Sequence, residues 1–398
     1  MKLRLRGSCS LGLLILTVAC GQPDQASPTA SADTATPSGS GSAAAVGSGA
    51  MTGAPSGVAQ TPTTDATKTD PSGAPTASAA PTSAEPAKPA TGSGMPELDA
   101  LVKASKNGVL PAGAADKVMK QGDPTKVALV DAGSEPRSEL KYDLPLASKE
   151  TTIMKMDMTM KMDLGAAAGP NAPGAMKLPQ VEMALDMSTS DKKESNGDLK
   201  LTGMVSNVKV SPGTTPMEQQ VGKAMGDALT GMKGMKISYI ITPKGRTRDV
   251  KVDLPAGAPA QAKMMVDQTK QSFENLMAPL PDESVGVGGK WVVLTRVSTG
   301  ADIIQWTTYT LKKRDDSKVE LDAVVTQLAA SPTISGGQMP GTANIDTFTS
   351  GGTGLTSMDL KRIAPESGVA DVKNAMGFSA NGQTMKIETT VKLGFSRK

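Results

Sequence analysis

The sequence predicts a mainly β fold: a curved antiparallel sheet or half-barrel packed on two amphipathic helices, preceded by a disordered tether. Three observations predict it. From Arg137 onward, apolar residues recur with period two, as on half-buried strands. Two segments, about 215–233 and 259–277, switch to the helical period. Residues 20–94 are dominated by Ala, Ser, Thr, Gly and Pro.

The chain opens Met1-Lys2-Leu3-Arg4-Leu5-Arg6, basic and free of acids. An apolar run from Leu11 to Val18 stops at Ala19-Cys20-Gly21. It is shorter than the roughly 20 residues a bilayer span needs and has the length of a signal-peptide apolar region. A small residue before Cys at this place resembles the lipobox of exported bacterial lipoproteins, Leu-small-small-Cys, with Leu16 one place early. The resemblance implies that residues 1–19 are a signal peptide and that Cys20 is the lipid-attachment residue. Two or more acyl chains hold a protein on a membrane stably, at about 0.8 kcal/mol per buried methylene. Gly21 is not Asp, so the expected destination is the outer membrane, facing the periplasm or the cell surface. The alternative is ordinary cleavage after Ala19, leaving a free thiol.

Composition then excludes much chemistry. The two Cys are Cys9, inside the signal, and Cys20. The mature chain is therefore expected to have no disulfide and no thiol catalysis. With no His, His-based acid–base chemistry, Ser-His-Asp triads and most zinc or copper sites are absent. No catalytic residue, metal ligand or cofactor-binding residue is assigned, and no enzyme is expected. The formal charge of +3 is carried by Lys2, Arg4 and Arg6, so the mature chain is neutral. That argues against a nucleic-acid partner, which wants a basic face.

Residues 21–94 hold no aromatic, Leu or Ile. Such a stretch buries too little surface to offset its ordering entropy. As a flexible coil its end-to-end distance averages about 45–50 Å. The globular domain is expected over 95–398. Leu98, Leu101 and Val102 suggest a short helix. Leu140, Tyr142 and Leu144 alternate, and then comes the clearest stripe, Met154, Met156, Met158, Met160, Met162 and Leu164. Further alternating runs bring the expected strands to about eleven. Asn381-Gly382 predicts a hairpin turn, since both residues tolerate positive φ. Thr215-Pro216-Met217-Glu218 is a capping box with Pro at the first helical position. It opens a helix with Val221, Met225, Leu229 and Met232 on one face. The second helix places Ala262, Met265, Val266, Phe273, Leu276 and Met277 together.

Met154-Lys155-Met156-Asp157-Met158-Thr159-Met160-Lys161 matches Met385-Lys386-Ile387-Glu388-Thr389-Thr390-Val391-Lys392 in its Lys, acid, Thr and Lys positions. One reading is duplication. Another makes these strands neighbours that close the sheet, with Lys opposite acid across the pair, and a third is coincidence between two alternating strands.

Several motifs give way to simpler readings. Met stripes can bind Cu(I) through thioethers, but period-two Met on a strand is also a core or cavity face, and Met fills irregular space. Ser138-Glu139-Leu140-Lys141 matches S-x-x-K but heads a strand, without the S-D-N and K-T-G partners. Gly286-Val287-Gly288-Gly289-Lys290-Trp291 lacks P-loop spacing and its hydroxyl residue and reads as a turn into a strand. Nothing marks Asp282 and Glu283 as an acid–base pair.

The layout around Pro243-Lys244-Gly245, Asp253-Leu254-Pro255 and Leu280 to Trp291 resembles a group of uncharacterised bacterial lipoproteins with a Met-rich β domain. At fold level it is also similar to lipoprotein carriers of the LolA and LppX type, a half-barrel clasping helices. That resemblance implies a hydrophobic or lipid-like ligand. Its candidate lining is Met154, Met156, Met158, Met160, Met162, Met225, Leu229, Met265 and Phe273. The alternative function is a structural or protein-interaction lipoprotein of the envelope.

Overall fold

The computed structural model describes residues 93–163, 175–255, 277–298, 301–335, 342–380 and 383–398, with two short paired strands, Ser8–Cys9 and Cys20–Gly21. The rest of the expected signal and tether, and residues 259–276 of the second expected helix, lie outside these residues. So do Leu164, Asn381 and Gly382.

Alternation becomes ladder almost throughout. Thirteen strands form one antiparallel sheet. In chain order they are β1 (Lys126–Asp131), β2 (Lys149–Asp163), β3 (Ala175–Lys193), β4 (Leu199–Val210), β5 (Lys236–Ile241) and β6 (Thr247–Asp253). There follow β7 (Lys290–Ser298), β8 (Asp302–Asp315), β9 (Lys318–Ala329), β10 (Thr333–Ser335), β11 (Thr342–Asp359), β12 (Ser367–Ala380) and β13 (Gln383–Arg397). The spatial order is β1-β7-β8-β9-β11-β12-β13-β2-β3-β4-β5-β6, with β10 beside β11. Two meanders, β2 to β6 and β7 to β13, are thus stitched together where the last strand meets the first long one. The sheet is not closed into a barrel: β1 and β6 are its edges. Both edge strands are short, and β6 carries charged, exposed Arg248 and Asp249, features that discourage pairing with another sheet.

The stitch is the pair of similar strands. β13 runs antiparallel to β2 with Lys386 opposite Asp163, Glu388 opposite Lys161 and Lys392 opposite Asp157. Lys opposite acid follows from the spacing of the two motifs once they are laid antiparallel. The pair lies in the middle of the sheet and closes nothing. The Lys161–Glu388 separation of 3.8 Å is at the surface, where such pairs contribute about 0–1 kcal/mol. The charges therefore favour register, and the Met face supplies burial.

Two helices cover the sheet. α1 (Pro96–Ala104) buries Leu98 and Leu101 against Val292, Leu294, Ile304 and Trp306 of β7 and β8. The opposite face of those strands, through Trp291 and Val293, joins the main core. α2 (Pro216–Thr230) has the expected capping box: Thr215 Oγ1 accepts from the Glu218 amide, and the Glu218 carboxylate accepts from the Thr215 amide. Met225, Leu229 and Met232 seat it in the main core with Met158, Met183 and Met187.

Two expectations need correcting. Leu140, Tyr142 and Leu144 are buried alternately with exposed neighbours, but they form no ladder. The segment crosses loop ends instead: the Tyr142 amide donates to Pro243 O at 2.7 Å and the Asp143 amide to Leu360 O at 2.9 Å. Strands β1 and β8 carry no clear alternation, and β11 and β12 interrupt theirs with Gly, Ala and polar residues. β8 is buried on both faces through Ile303 and Ile304, and β11 contains Gly351-Gly352-Thr353-Gly354.

Gly352 has a steric reason. A Cβ there would lie 2.5 Å from Asp371 O of β12, so β11 and β12 approach too closely for any side chain. Gly352→Ala should cost about 1–3 kcal/mol, the usual range for overpacking. At Gly354 the nearest backbone atom would be 3.2 Å away, and Gly354→Ala should cost clearly less. Urea unfolding of both variants checks the contrast.

Candidate functional site

Strand register decides where the concave face is full and where it is empty. One cross-strand row runs Trp291, Tyr309, Ala323, Gly354, Ala370, Leu393, Met156. It is large at both ends and small over β9, β11 and β12. The next row has Val325, Gly352 and Val372 at its centre. Missing side chains leave a cavity of about 260 Å³, walled by Ala323, Val325, Gly354 and Ala370. Its far walls are Val293 on β7 and Met183, Leu185 and Met187 on β3. Strands seven places apart in the sheet order line one space, so the sheet is strongly curved around it.

Two segments roof the cavity. Residues 277–280 are held by Trp291 Nε1, which donates to Pro279 O at 2.9 Å, and by the Tyr142 hydroxyl, which donates to Ala278 O at 3.1 Å. Gly245, with φ of +75°, lets a turn lie against the Tyr142 ring. Residues 362–365 form the second segment. There the Glu150 carboxylate, 6% exposed, accepts from the Ala364 amide at 3.0 Å and pairs with Arg362 Nε at 3.3 Å. Trp291 stacks on Tyr309 with centroids 5.6 Å apart. Burial pushes the Tyr309 phenol up to about 12. Burial raises Tyr239, and burial with the nearby Tyr309 raises Tyr142, further still.

The lining is apolar with polar exceptions. Thr295, Gln305 and Thr307 lie at the β7–β8 side and Thr152 on β2. Gln305 belongs to a second row, Thr295, Gln305, Gln327, Ser350, Asn374 and Thr389, directly opposed across six strands. All but Gln305 are buried. Gln327 Nε2 donates to Gln305 Oε1 at 2.7 Å, and Ser350 Oγ contacts both Gln327 Oε1 and Asn374 Oδ1.

Of the residues expected to line a ligand site, Met154 does so. Met156, Met158 and Met160 are no more than 2% exposed and Met162 is half-buried; they pack in the main core, as do Met225 and Leu229. Those Met residues face large neighbours, Leu393, Val391 and Leu178 among them, so no space is left beside them. Met265 and Phe273 lie outside the described residues. The wall residues Ala323, Gly354 and Ala370 were not anticipated. Their one sequence signal is the glycine run inside a strand, which marks a close approach or an open site.

The other motifs fall apart chemically. Ser138 forms a bridge to Val285 on extended chain, and Glu139 pairs with Lys244 at 2.9 Å. The Lys244 ammonium beside it holds the Glu139 carboxyl below its ordinary value. Asp282 pairs with Arg246 at 2.7 Å. Gly286–Gly289 is a turn into β7, as expected. Among the described residues no three His, Cys, Asp or Glu side chains are grouped to hold a metal ion. No protein-family model matches the chain, and no curated protein matches it.

Proposed function

We propose that the protein is a non-catalytic binding module of the cell envelope, anchored through lipid on Cys20, whose concave face holds a hydrophobic or lipid-like ligand. The observation that carries this reading is the row of small residues, Ala323, Gly354 and Ala370, set in register between large ones. The apolar walls of a cavity of about 260 Å³ gain about 25 cal/mol for each Å² of apolar surface that an occupant covers. The reading is tested by lipid extraction and mass spectrometry of protein purified from its own envelope; a co-purifying amphipath is expected.

A second reading, a protein-interaction role, draws on the convex face. Leu355 and Val369 sit directly opposite each other and are 46% and 56% exposed. Crosslinking in intact cells distinguishes it.

A further inference from the structure

We infer that the ligand of this cavity carries an uncharged oxygen acceptor within its apolar body, as an acyl ester does, and that Gln305 is the residue that receives it. The inference rests on the binding reading above and specifies its chemistry.

Proton counting along the buried polar row sets the direction of its hydrogen bonds. Ser350 Oγ lies against both Gln327 Oε1 and Asn374 Oδ1. A hydroxyl has one proton and cannot donate to both. The Asn374 Nδ2 group is buried without a partner. Turning its carboxamide over, a choice that hydrogen bonding decides, gives each proton one acceptor and leaves a carbonyl oxygen, which is better tolerated than an N–H, at the unpartnered position: Asn374 Nδ2 donates to Ser350 Oγ, and Ser350 donates to Gln327 Oε1. Gln327 Nε2 then donates to Gln305 Oε1 at 2.7 Å. Every donor in the relay points the same way. Its last member, Gln305, accepts on Oε1, which makes its Nε2 the donor end of the relay, and Gln305 lines the cavity. The relay ends as an N–H donor presented to the ligand.

The floor therefore asks for an acceptor. Thr307 and Thr295 beside it are neutral, and the only charged side chain among the described lining residues, Arg362, is on the roof and already paired with Glu150. A carboxylate on this floor would be buried without a cation, which is costly; an ester or amide carbonyl would not. Val297, one row beyond Gln305, also lines the cavity, so apolar ligand can extend on both sides of the acceptor.

The test compares decyl hexanoate, hexadecane and hexadecanoate as competitors of a bound fluorescent acyl probe, on the full mature chain. The ester should bind about fivefold to tenfold more tightly than the alkane, the worth of one neutral hydrogen bond, and more tightly than the acid at neutral pH. Gln305→Leu should erase the ester preference and retain alkane binding. Equal binding of ester and alkane to the wild type, tighter binding of the acid, or a preserved ester preference in Gln305→Leu overturns the inference. The wild-type comparison decides even if the variant fails to fold. Alkane binding without ester preference ends this inference alone; no binding by any competitor or probe ends the cavity reading with it.

Discussion

Above pH 10 the protein should lose stability steeply, and its tyrosines should ionise only as it unfolds. The chain has three tyrosines, and burial raises all of them, Tyr309 to about 12 and Tyr142 and Tyr239 further. In the unfolded chain they titrate near 10. Between those limits the folded state retains protons that the unfolded state has lost, so stability falls as pH rises. Each group contributes about 1.4 kcal/mol per pH unit, or about 4 kcal/mol per unit for the three together. That exhausts an ordinary stability of about 5–15 kcal/mol within a few units. Tyrosinate absorbance should stay flat past pH 10 and then rise together with loss of the far-ultraviolet β signal. A gradual rise centred on pH 10 with the β signal intact would show that the tyrosines are not buried as described.

Filling the cavity should separate binding from folding. Ala323→Leu and Ala370→Leu, together, place side chains into space that the small row leaves open. Affinity for a fluorescent acyl probe should fall more than tenfold, which is about 1.4 kcal/mol. The unfolding midpoint should hold or rise, since cavity filling commonly adds about 0.5–2 kcal/mol. Met156→Ala is the opposite case. Met156 is 2% exposed and outside the cavity wall, so the variant should lose about 2–5 kcal/mol and still bind. If the double variant binds as the wild type does, the ligand sits elsewhere.

The contrast between Met156 and Ala323 also explains what could be read from the sequence. Period-two hydrophobicity exposes strands whose inner residues are large, and the Met stripe of β2 was legible for that reason. Its pairing with β13 stayed open among neighbours, duplication and coincidence, because a repeated charge pattern names no partner until the strands are in register. The Thr215 capping box is a local signal and folds locally. Strands that wall a cavity present small or polar residues inward: Gly352 and Gly354 on β11, Ala370 and Asn374 on β12. They therefore lose the very alternation that would announce them. β8 lost it for the opposite reason, being covered on one face by α1 and on the other by the main core. The relay from Asn374 to Gln305 exists only through register, since its members come from four strands. Leu140 to Leu144 misled because burial alternates on any extended chain with one covered side, whether or not a neighbour completes the ladder.

The cavity is proposed to be a ligand site. Native mass spectrometry of the full chain, purified from its own envelope, tests this most directly. A covalent lipid on Cys20 survives denaturation, whereas a cavity ligand is released by it. The expected result is an intact mass exceeding the denatured mass by one amphipathic molecule, with the excess lost in the Ala323→Leu, Ala370→Leu variant. Identical native and denatured masses, from protein that also fails to take up an acyl probe, would contradict it.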